Sequence, residues 1–362
     1  MQGAACKEAD GRIPVAEFIG DAALGGVAAC LLNYYKFMDR SRYRLDFFTY
    51  GPSEFDAALA KIDPASRVFY LPDLRKHPLR STARLAEILS QGGYAIAHSH
   101  MTTLSAFVLW AAKRAGVPVR VCHAHSTFDA ASDHALVKRL LRPFAARYAT
   151  HLMACGTAAA ENLFRARANE AEILPNAVDL ARFSCGEESE GLLFVGRFAP
   201  QKNLFFLLGA FAQAKKLAPS LTLTLAGDGP LRAELCERAK KLGIAESVHF
   251  AGACDPAPLY ARASAFVLPS LYEGMPVVAA EAQASGLRCL FSEKITREAD
   301  IAGGSVFLPL DEQVWAREMA KPHEKDPASK AALRAAHYDI RREADRLPAF
   351  YDKALGSEGV QR

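Results

Sequence analysis

Two glutamates, two cations and four histidines carry most of the chemistry this sequence can do. Glu273 and Glu281 stand in AFVLPSLYEGMPVVAAEAQASGLRCL (265–290), with seven residues between them. Arg197 and Lys202 lie five residues apart in VGRFAPQKN. Cations so placed can neutralise a diphosphate leaving group, although such a pair also arises as ordinary surface charge. The histidines come as two His-x-His pairs, His98 with His100 and His123 with His125. Zinc accepts imidazole ligands, but no third ligand type is spaced for it, so no metal site is expected.

The elements that must position these groups follow from the pattern around them. Ala265 to Leu268 reads as a short apolar strand and Pro269 to Gly274 as a turn-rich loop. Pro276 then opens an apolar helix that runs to about Ser285, and Gly286 stops it. Proline suits the first helical position, where its missing N–H has no partner anyway. Glycine suits the left-handed position past the end. Strand, loop and helix start together are where an open α/β sheet binds anions. The N–H groups of Met275, Val277 and Val278 fall between the two glutamates, at the positive end of the helix dipole. A diphosphate lying on them would have one carboxylate on each side, as a nucleotide-sugar needs for its ribose and its hexose. The competing reading is one loop charge and one exposed helix residue, since glutamates at this separation are common.

The chain before this stretch alternates strand and helix. Strands are expected at 13–20, 44–51, 67–72, in YAIAHSHM, in VPVRVCHAHS and at 151–155. No two-residue hairpin signal interrupts them, so a doubly wound parallel sheet is expected. Ligands gather at the carboxyl ends of such strands, where all four histidines fall. Gly25 and Gly26 let the backbone approach a ligand at the start of the helix VAACLLNYYKFM. The strand–helix rhythm restarts at GLLFVGRF, after the polar linker 184–190. In LTLTLAGDGP, the turn Gly227, Asp228, Gly229 lacks the third glycine of a dinucleotide fingerprint, which argues against a dehydrogenase with two Rossmann-like halves. The tail YDIRREADRLPAFYDKAL reads as one or two amphipathic helices with a break near Pro348.

The 362 residues allow two or three domains at ~150 per domain. The net charge of +4 is too mild for a nucleic-acid partner, and no basic stripe interleaves with aromatics. The first residues show no apolar core of a signal peptide. No run approaches the ~20 apolar residues of a membrane span. The eight cysteines, at 6, 30, 122, 155, 185, 236, 254 and 289, form no CxxC. In a chain this long they read as scattered reduced thiols of a cytosolic protein. Segments 75–84 and 136–149 are basic and partly apolar. They read as solvated helix faces or as a peripheral patch for anionic lipid.

SLYEGMPVVAAEAQASGLRCL resembles the glutamate-pair motif of the retaining glycosyltransferases of family 4, which have the GT-B fold. VGRFAPQKN, the GDGP turn and the junction ILPNAVDLARF (173–183) resemble the same family in the same order, so the resemblance spans nearly the whole chain. It implies two Rossmann-like domains facing a cleft, 1–183 and 184–337, with a helix from 338–362 crossing back onto the first. It implies an enzyme that moves a sugar from a nucleotide-sugar, by preference a UDP-sugar, to a glycan or lipid-linked acceptor of polysaccharide synthesis. No cofactor and no metal are implied, because Arg197, Lys202 and the helix start stabilise the diphosphate. By the same resemblance Glu281 holds the ribose, Glu273 the sugar hydroxyls, and one of His123 and His125, by slight preference His125, the donor sugar. His98 and His100 fall on the acceptor side. Gly25 and Gly26 face the donor phosphates, Gly227, Asp228 and Gly229 line the nucleotide pocket, and Gly252 lies where the base is held. The segment Gly274, Met275, Pro276, Val277, Val278 receives the donor. The family commonly has a glutamate soon after the Gly pair; Val27, Ala28 and Ala29 stand there instead. An epimerase or hydrolase of nucleotide-sugars, which needs no acceptor, and a non-catalytic nucleotide-sugar binder are the other readings.

Overall fold

The structure, a computed structural model, describes residues 11–21, 25–127, 135–187 and 190–359. Cys6 and residues 22–24 of the glycine loop lie outside them. The chain divides into two compact units, 1–175 with 340–362, and 176–339. The first unit therefore ends at Pro175 and not at 183. The reason is local: the Asn176 amide donates to the Met275 carbonyl at 2.6 Å, Val178 bridges to Asp339, and the Phe183 ring meets Tyr260. The segment 176–183 is thus part of the second unit.

Seven parallel strands form the sheet of the first unit: β1 (Ile13–Gly20), β2 (Tyr43–Thr49), β3 (Val68–Tyr70), β4 (Ile96–Ser99), β5 (Val119–Ala124), β6 (His151–Ala154) and β7 (Ala171–Ile173). Six helices accompany them: α1 (Gly26–Phe37), α2 (Glu54–Ile62), α3 (Pro78–Gln91), α4 (Ser105–Arg114), α5 (Ala135–Ala145) and α6 (Thr157–Phe164). Strand β7 and helix α2 are additions to the sequence reading. The strand is three residues long and half-buried, too short to show a period. The helix announces itself only by its cap, the Ser53 hydroxyl accepting the Phe55 N–H at 3.3 Å. Strand order is β3-β2-β1-β4-β5-β6-β7, so the winding reverses between β1 and β4. Strand β2 is buried along its whole length. Its Asp46 is tolerated because it accepts from Arg44, Arg67 and Tyr94 at 2.8–3.1 Å, which replaces the lost water.

The second unit holds six parallel strands: β8 (Leu192–Val195), β9 (Leu223–Ala226), β10 (Val248–Gly252), β11 (Ala265–Leu268), β12 (Arg288–Ser292) and β13 (Val306–Leu308). Its helices are α7 (Leu204–Leu217), α8 (Arg232–Lys241), α9 (Ala257–Arg262), α10 (Val277–Ala284), α11 (Glu312–Met319) and α12 (Ser329–Ala335). The order β10-β9-β8-β11-β12-β13 reverses between β8 and β11. Strand β11 is buried throughout, as a strand covered on both faces must be. Pro276 is the cap of α10 and the helix starts one residue later. Gly286 adopts φ +75 beyond its end, the left-handed position that glycine fills without strain.

The chain returns to the first unit through α13 (Ile340–Glu343) and α14 (Arg346–Ser357). The break falls at 344–345 and not at Pro348, which sits in the first turn of α14; there its missing N–H leaves no helix bond unmade. Arg346 donates to the Ile173 carbonyl at 2.7 Å, and Tyr43 to Asp352 at 2.5 Å. These bonds fix α14 to the sheet and bury Tyr351 completely.

Candidate active site

Strand order explains why residues distant in sequence meet in the second unit. Strands β8 and β11 are neighbours, so the loops that leave their carboxyl ends lie side by side at the reversal point, the usual ligand crevice of an open sheet. The first loop holds Arg197 and a single turn of Pro200–Lys202, closed by Asn203 in the left-handed conformation, φ 55. The Leu271 N–H donates to the Gln201 carbonyl at 2.9 Å, and the Gln201 side-chain amide to the Tyr272 carbonyl at 2.7 Å. The loops so joined bring Lys202 Nζ to 2.5 Å from Glu273 Oε1. The Gln201 amide reaches Glu273 Oε2 at 3.2 Å. Glu273 is buried, and Arg197 is exposed. Lys202 and Glu273, expected on different parts of a ligand, are therefore ion-paired in the free protein.

Glu281 occupies the fifth position of α10, half-buried, and accepts from the Tyr260 hydroxyl of α9 at 3.0 Å. Burial raises its carboxyl above the ordinary range, against the pull of Tyr260 and Arg182. Met275, Pro276 and Val277 are buried, Val278 is half-buried, and Gly274 is buried beside Glu273. Sequence reasoning missed Gln201, Tyr260 and Asn176. Gln201 and Asn176 left a signal, since each lies in a motif already singled out, VGRFAPQKN and ILPNAVDLARF.

The GDGP turn has a structural reason for its glycines. A Cβ on Gly227 would lie 2.0 Å from the Gly196 carbonyl oxygen, and one on Gly229 would lie 2.5 Å from that of Phe198. The Gly227 N–H also donates to the Gly252 carbonyl at 2.7 Å, and the Phe198 N–H to the Asp228 carbonyl at 2.8 Å. These glycines let the loops after β8, β9 and β10 stack. Asp228 itself accepts the Gly229 N–H at 2.7 Å.

In the first unit the histidines form one cluster. Glu17 of β1 lies opposite His98 of β4 in register, and His98 opposite Val121 of β5. Side chains alternate along a strand, so Glu17, His98, His100, His123 and His125 all project from one face. Glu17 accepts from His100 Nε2 at 2.8 Å and from the Tyr351 hydroxyl at 2.6 Å. His98 Nδ1 lies 2.8 Å from that hydroxyl, and His98 Nε2 lies 3.1 Å from His123 Nδ1. His100 Nδ1 lies 2.7 Å from His125 Nε2. Burial works against ionisation of Glu17, yet His98 and His100 outweigh it and hold the carboxyl well below the usual range. Burial, then His98, lowers His100 to about 4. Burial and the neighbouring rings hold His123 and His125 well below the usual imidazole value.

This cluster bears on two expectations. A third nitrogen ligand does come together: donor atoms of His98, His100 and His123 lie within 4.8 Å of one another. The sheet register supplies it, which loop spacing could not show. His98 and His100 are also buried with both ring nitrogens of each engaged inside the protein. Their ring nitrogens are thus taken up by Tyr351, His123, His125 and Glu17.

Comparison with known proteins finds a family match for each half of the chain. The family described as Glycosyltransferase Family 4 matches residues 24–182, and Glycosyl transferases group 1 matches 181–305. EpsF of Bacillus subtilis (strain 168), named as a glycosyltransferase, is 34% identical over 360 residues, covering 91% of this chain and 93% of its own. The chain belongs to the GT-B glycosyltransferases. An Escherichia coli enzyme, UDP-Gal:alpha-D-GlcNAc-diphosphoundecaprenol alpha-1,3-galactosyltransferase, is 27% identical over 79% of this chain and 81% of its own. Among solved structures, HepE of Anabaena in complex with UDP and glucose superposes with a TM-score of 0.76 at 18% identity, covering 95% of this chain and all of HepE. A sucrose-phosphate synthase of Thermosynechococcus elongatus gives 0.75 at 19% identity, covering 96% and 100%. These likenesses bear on the fold: two parallel α/β sheets.

For this glycosyltransferase the remaining expectations fall as follows. Gly25 caps α1 in an extended conformation, φ −98, and Gly26 is the first helical residue; both are exposed. Gly252 takes φ +73 at the end of β10. Cys122 and Cys289 are buried in β5 and β12, and the described cysteines are free thiols. Among the described residues no helix is long and apolar enough to cross a membrane.

Proposed function

We propose that this glycosyltransferase moves a sugar from a UDP-sugar, with retention of anomeric configuration, to a glycan or lipid-linked saccharide in capsular or exopolysaccharide synthesis. The observation that carries the reading is the Lys202–Glu273 pair at the β8/β11 reversal, one residue before the segment that opens α10. A cation, a carboxylate and a helix start in one crevice are what a diphosphate bonded to a sugar requires. In this reading Arg197, Lys202 and the N–H groups of Val277 and Val278 take the charge of the departing diphosphate, and no metal ion is needed. Glu281 holds the ribose, Glu273 the sugar hydroxyls, and His125 touches the sugar. The leaving phosphate accepts the acceptor's proton on the same face, so the site needs no pair of carboxylates working as acid and base. The UDP preference is supported by the UDP-Gal in the name of the Escherichia coli relative and by the UDP bound to HepE.

The acceptor side draws on α5, whose Leu136, Leu140 and Phe144 are exposed beside Arg139. A basic helix with an exposed apolar face suits an anionic membrane surface, so the enzyme works in the cytoplasm at the inner face of the membrane. The deciding experiment incubates the protein with a panel of nucleotide-sugars and measures free UDP with and without a membrane lipid extract. Release that depends on the extract supports transfer. Equal release without it would mean hydrolysis or epimerisation, and binding without release a non-catalytic protein.

A further inference from the structure

We propose that Glu17 and His100 are positioning residues that hold His125 in one tautomer, so that its Nδ1 lone pair accepts a hydroxyl of the sugar ligand. The inference deepens the reading of His125 as a sugar contact and rests on it. The role of each atom follows from its neighbour. An ionised carboxylate only accepts, so His100 Nε2, 2.8 Å from Glu17 Oε2, carries the hydrogen. In a neutral ring Nδ1 then keeps its lone pair. That atom lies 2.7 Å from His125 Nε2, which must therefore be the N–H. What is left on His125 is a bare Nδ1, buried and with no hydrogen-bond partner among the described residues. Buried polar atoms of folded proteins are nearly always paired, so a bare one at a strand's carboxyl end points to a ligand.

The other oxygen of Glu17 organises a second arm. The Tyr351 hydroxyl donates to Glu17 Oε1 at 2.6 Å and so receives the hydrogen of His98 Nδ1 at 2.8 Å. His98 Nε2 then accepts from His123 Nδ1 at 3.1 Å. This leaves His123 Nε2 bare, the other unpartnered imidazole nitrogen of the cluster. One carboxylate thus sets four rings and ends on two acceptors, whose rings lie 4.0 Å apart. Neutral lone pairs suit hydroxyl donors and repel a phosphate, which identifies the ligand class as a polyol such as a hexose. The two arms carry opposite tautomers: Nε2–H at His100 and His125, Nδ1–H at His98 and His123. Packing alone does not require that division.

Long-range proton–nitrogen NMR on 15N-histidine protein reads the tautomer of each ring without any ligand. The two-and-two pattern is expected in the wild type. Glu17→Gln keeps the shape but turns one oxygen into a donor, so it should abolish the pattern. It should lower turnover about tenfold or more and leave UDP affinity within about twofold. Tyr351→Phe should disturb His98 and His123 while His100 and His125 stay as they were. An Nδ1–H on His125 in the wild type, or an unchanged pattern in Glu17→Gln, would overturn the proposal. So would a stoichiometric transition metal in the purified protein, since ligation would claim these nitrogens. If the pattern holds but no nucleotide-sugar is consumed, the transferase reading and its sugar contact fall and the tautomer assignment stands.

Discussion

Glu273→Gln and Glu281→Gln should change UDP affinity in opposite directions. In the free protein Lys202 Nζ sits 2.5 Å from Glu273 Oε1, and the two side chains are only 16% and 10% exposed. Unit charges 4 Å apart near a protein surface attract by about 4 kcal/mol. Desolvation of both groups cancels much of that, leaving roughly 1–3 kcal/mol, the range of a hydrogen bond to a charged group. Glu273→Gln keeps the shape and removes the charge, so Lys202 gains most when a diphosphate arrives. UDP should bind about 1 kcal/mol tighter, roughly fivefold, while turnover falls and discrimination between sugars blurs. Glu281→Gln weakens two ribose hydrogen bonds and should loosen UDP by about 1–3 kcal/mol. Calorimetric titration of UDP against both variants decides it. Equal weakening by both would refute the placement of the sugar at Glu273, and no effect from either would mean two carboxylates outside the donor site.

The raised carboxyl of Glu281 gives the same experiment a pH arm. Its folded value lies above the unfolded one because burial disfavours the charge. Its contribution to stability is therefore fully present below the unfolded value and lost as pH rises through the folded value. Above its folded value the ionised group destabilises the fold, so there Glu281→Gln should melt at a higher temperature than the wild type while binding UDP less well. In the wild type UDP affinity should decline on acidification earlier than for an ordinary glutamate, and the variant should lack that decline.

Arg197→Ala and Lys202→Ala should each lower turnover by ~10² or more, as loss of a charge-stabilising donor does elsewhere; near-normal rates in both, with the chain folded, would move the diphosphate. If side-chain cations and a helix start do a metal's task, transfer should survive a chelator; activity lost in chelator and restored by magnesium or manganese would sink that assignment. Leu140→Glu and Phe144→Glu should reduce co-sedimentation with vesicles rich in anionic lipid while melting stays within a few degrees, since both side chains are exposed on α5; unchanged sedimentation would leave that face without a membrane role.

The legible parts of the sequence were those governed by local rules. Strand, loop and helix around Glu273 show in the apolar run, in Pro276 and in Gly286, each of which answers to its own backbone position. Short-period features did not show: β7 has three residues, and α2 begins on a serine cap that any loop contains. What spacing could not supply was neighbourhood across the sheet. Glu17 drew no attention in IPVAEFIG because a carboxylate in a buried strand makes sense only beside its partners. Those partners come from β4, from the loop just after it and from α14, as far off as Tyr351. The pairing of Lys202 with Glu273 likewise needs β8 next to β11, which follows from strand order and from no motif.

That pairing bears on how Lys202 is accommodated in the fold. A half-buried lysine at a positive helix end would cost solvation and repel the local dipole unless an anion stood by. Glu273 is that anion, held in place by the Gln201 amide, so the free protein carries a neutral pair where an uncompensated cation would otherwise sit. In the proposed reading a diphosphate then replaces a carboxylate on Lys202 and releases Glu273 to accept hydrogen bonds. A sugar attached to that diphosphate brings hydroxyl donors to the released carboxylate, and free UDP brings none. On that reading the same ion pair would favour the whole donor over the spent nucleotide, and Glu273→Gln should narrow the ratio of UDP to UDP-sugar dissociation constants. A ratio unchanged by the substitution would show that Glu273 does not exchange Lys202 for the sugar.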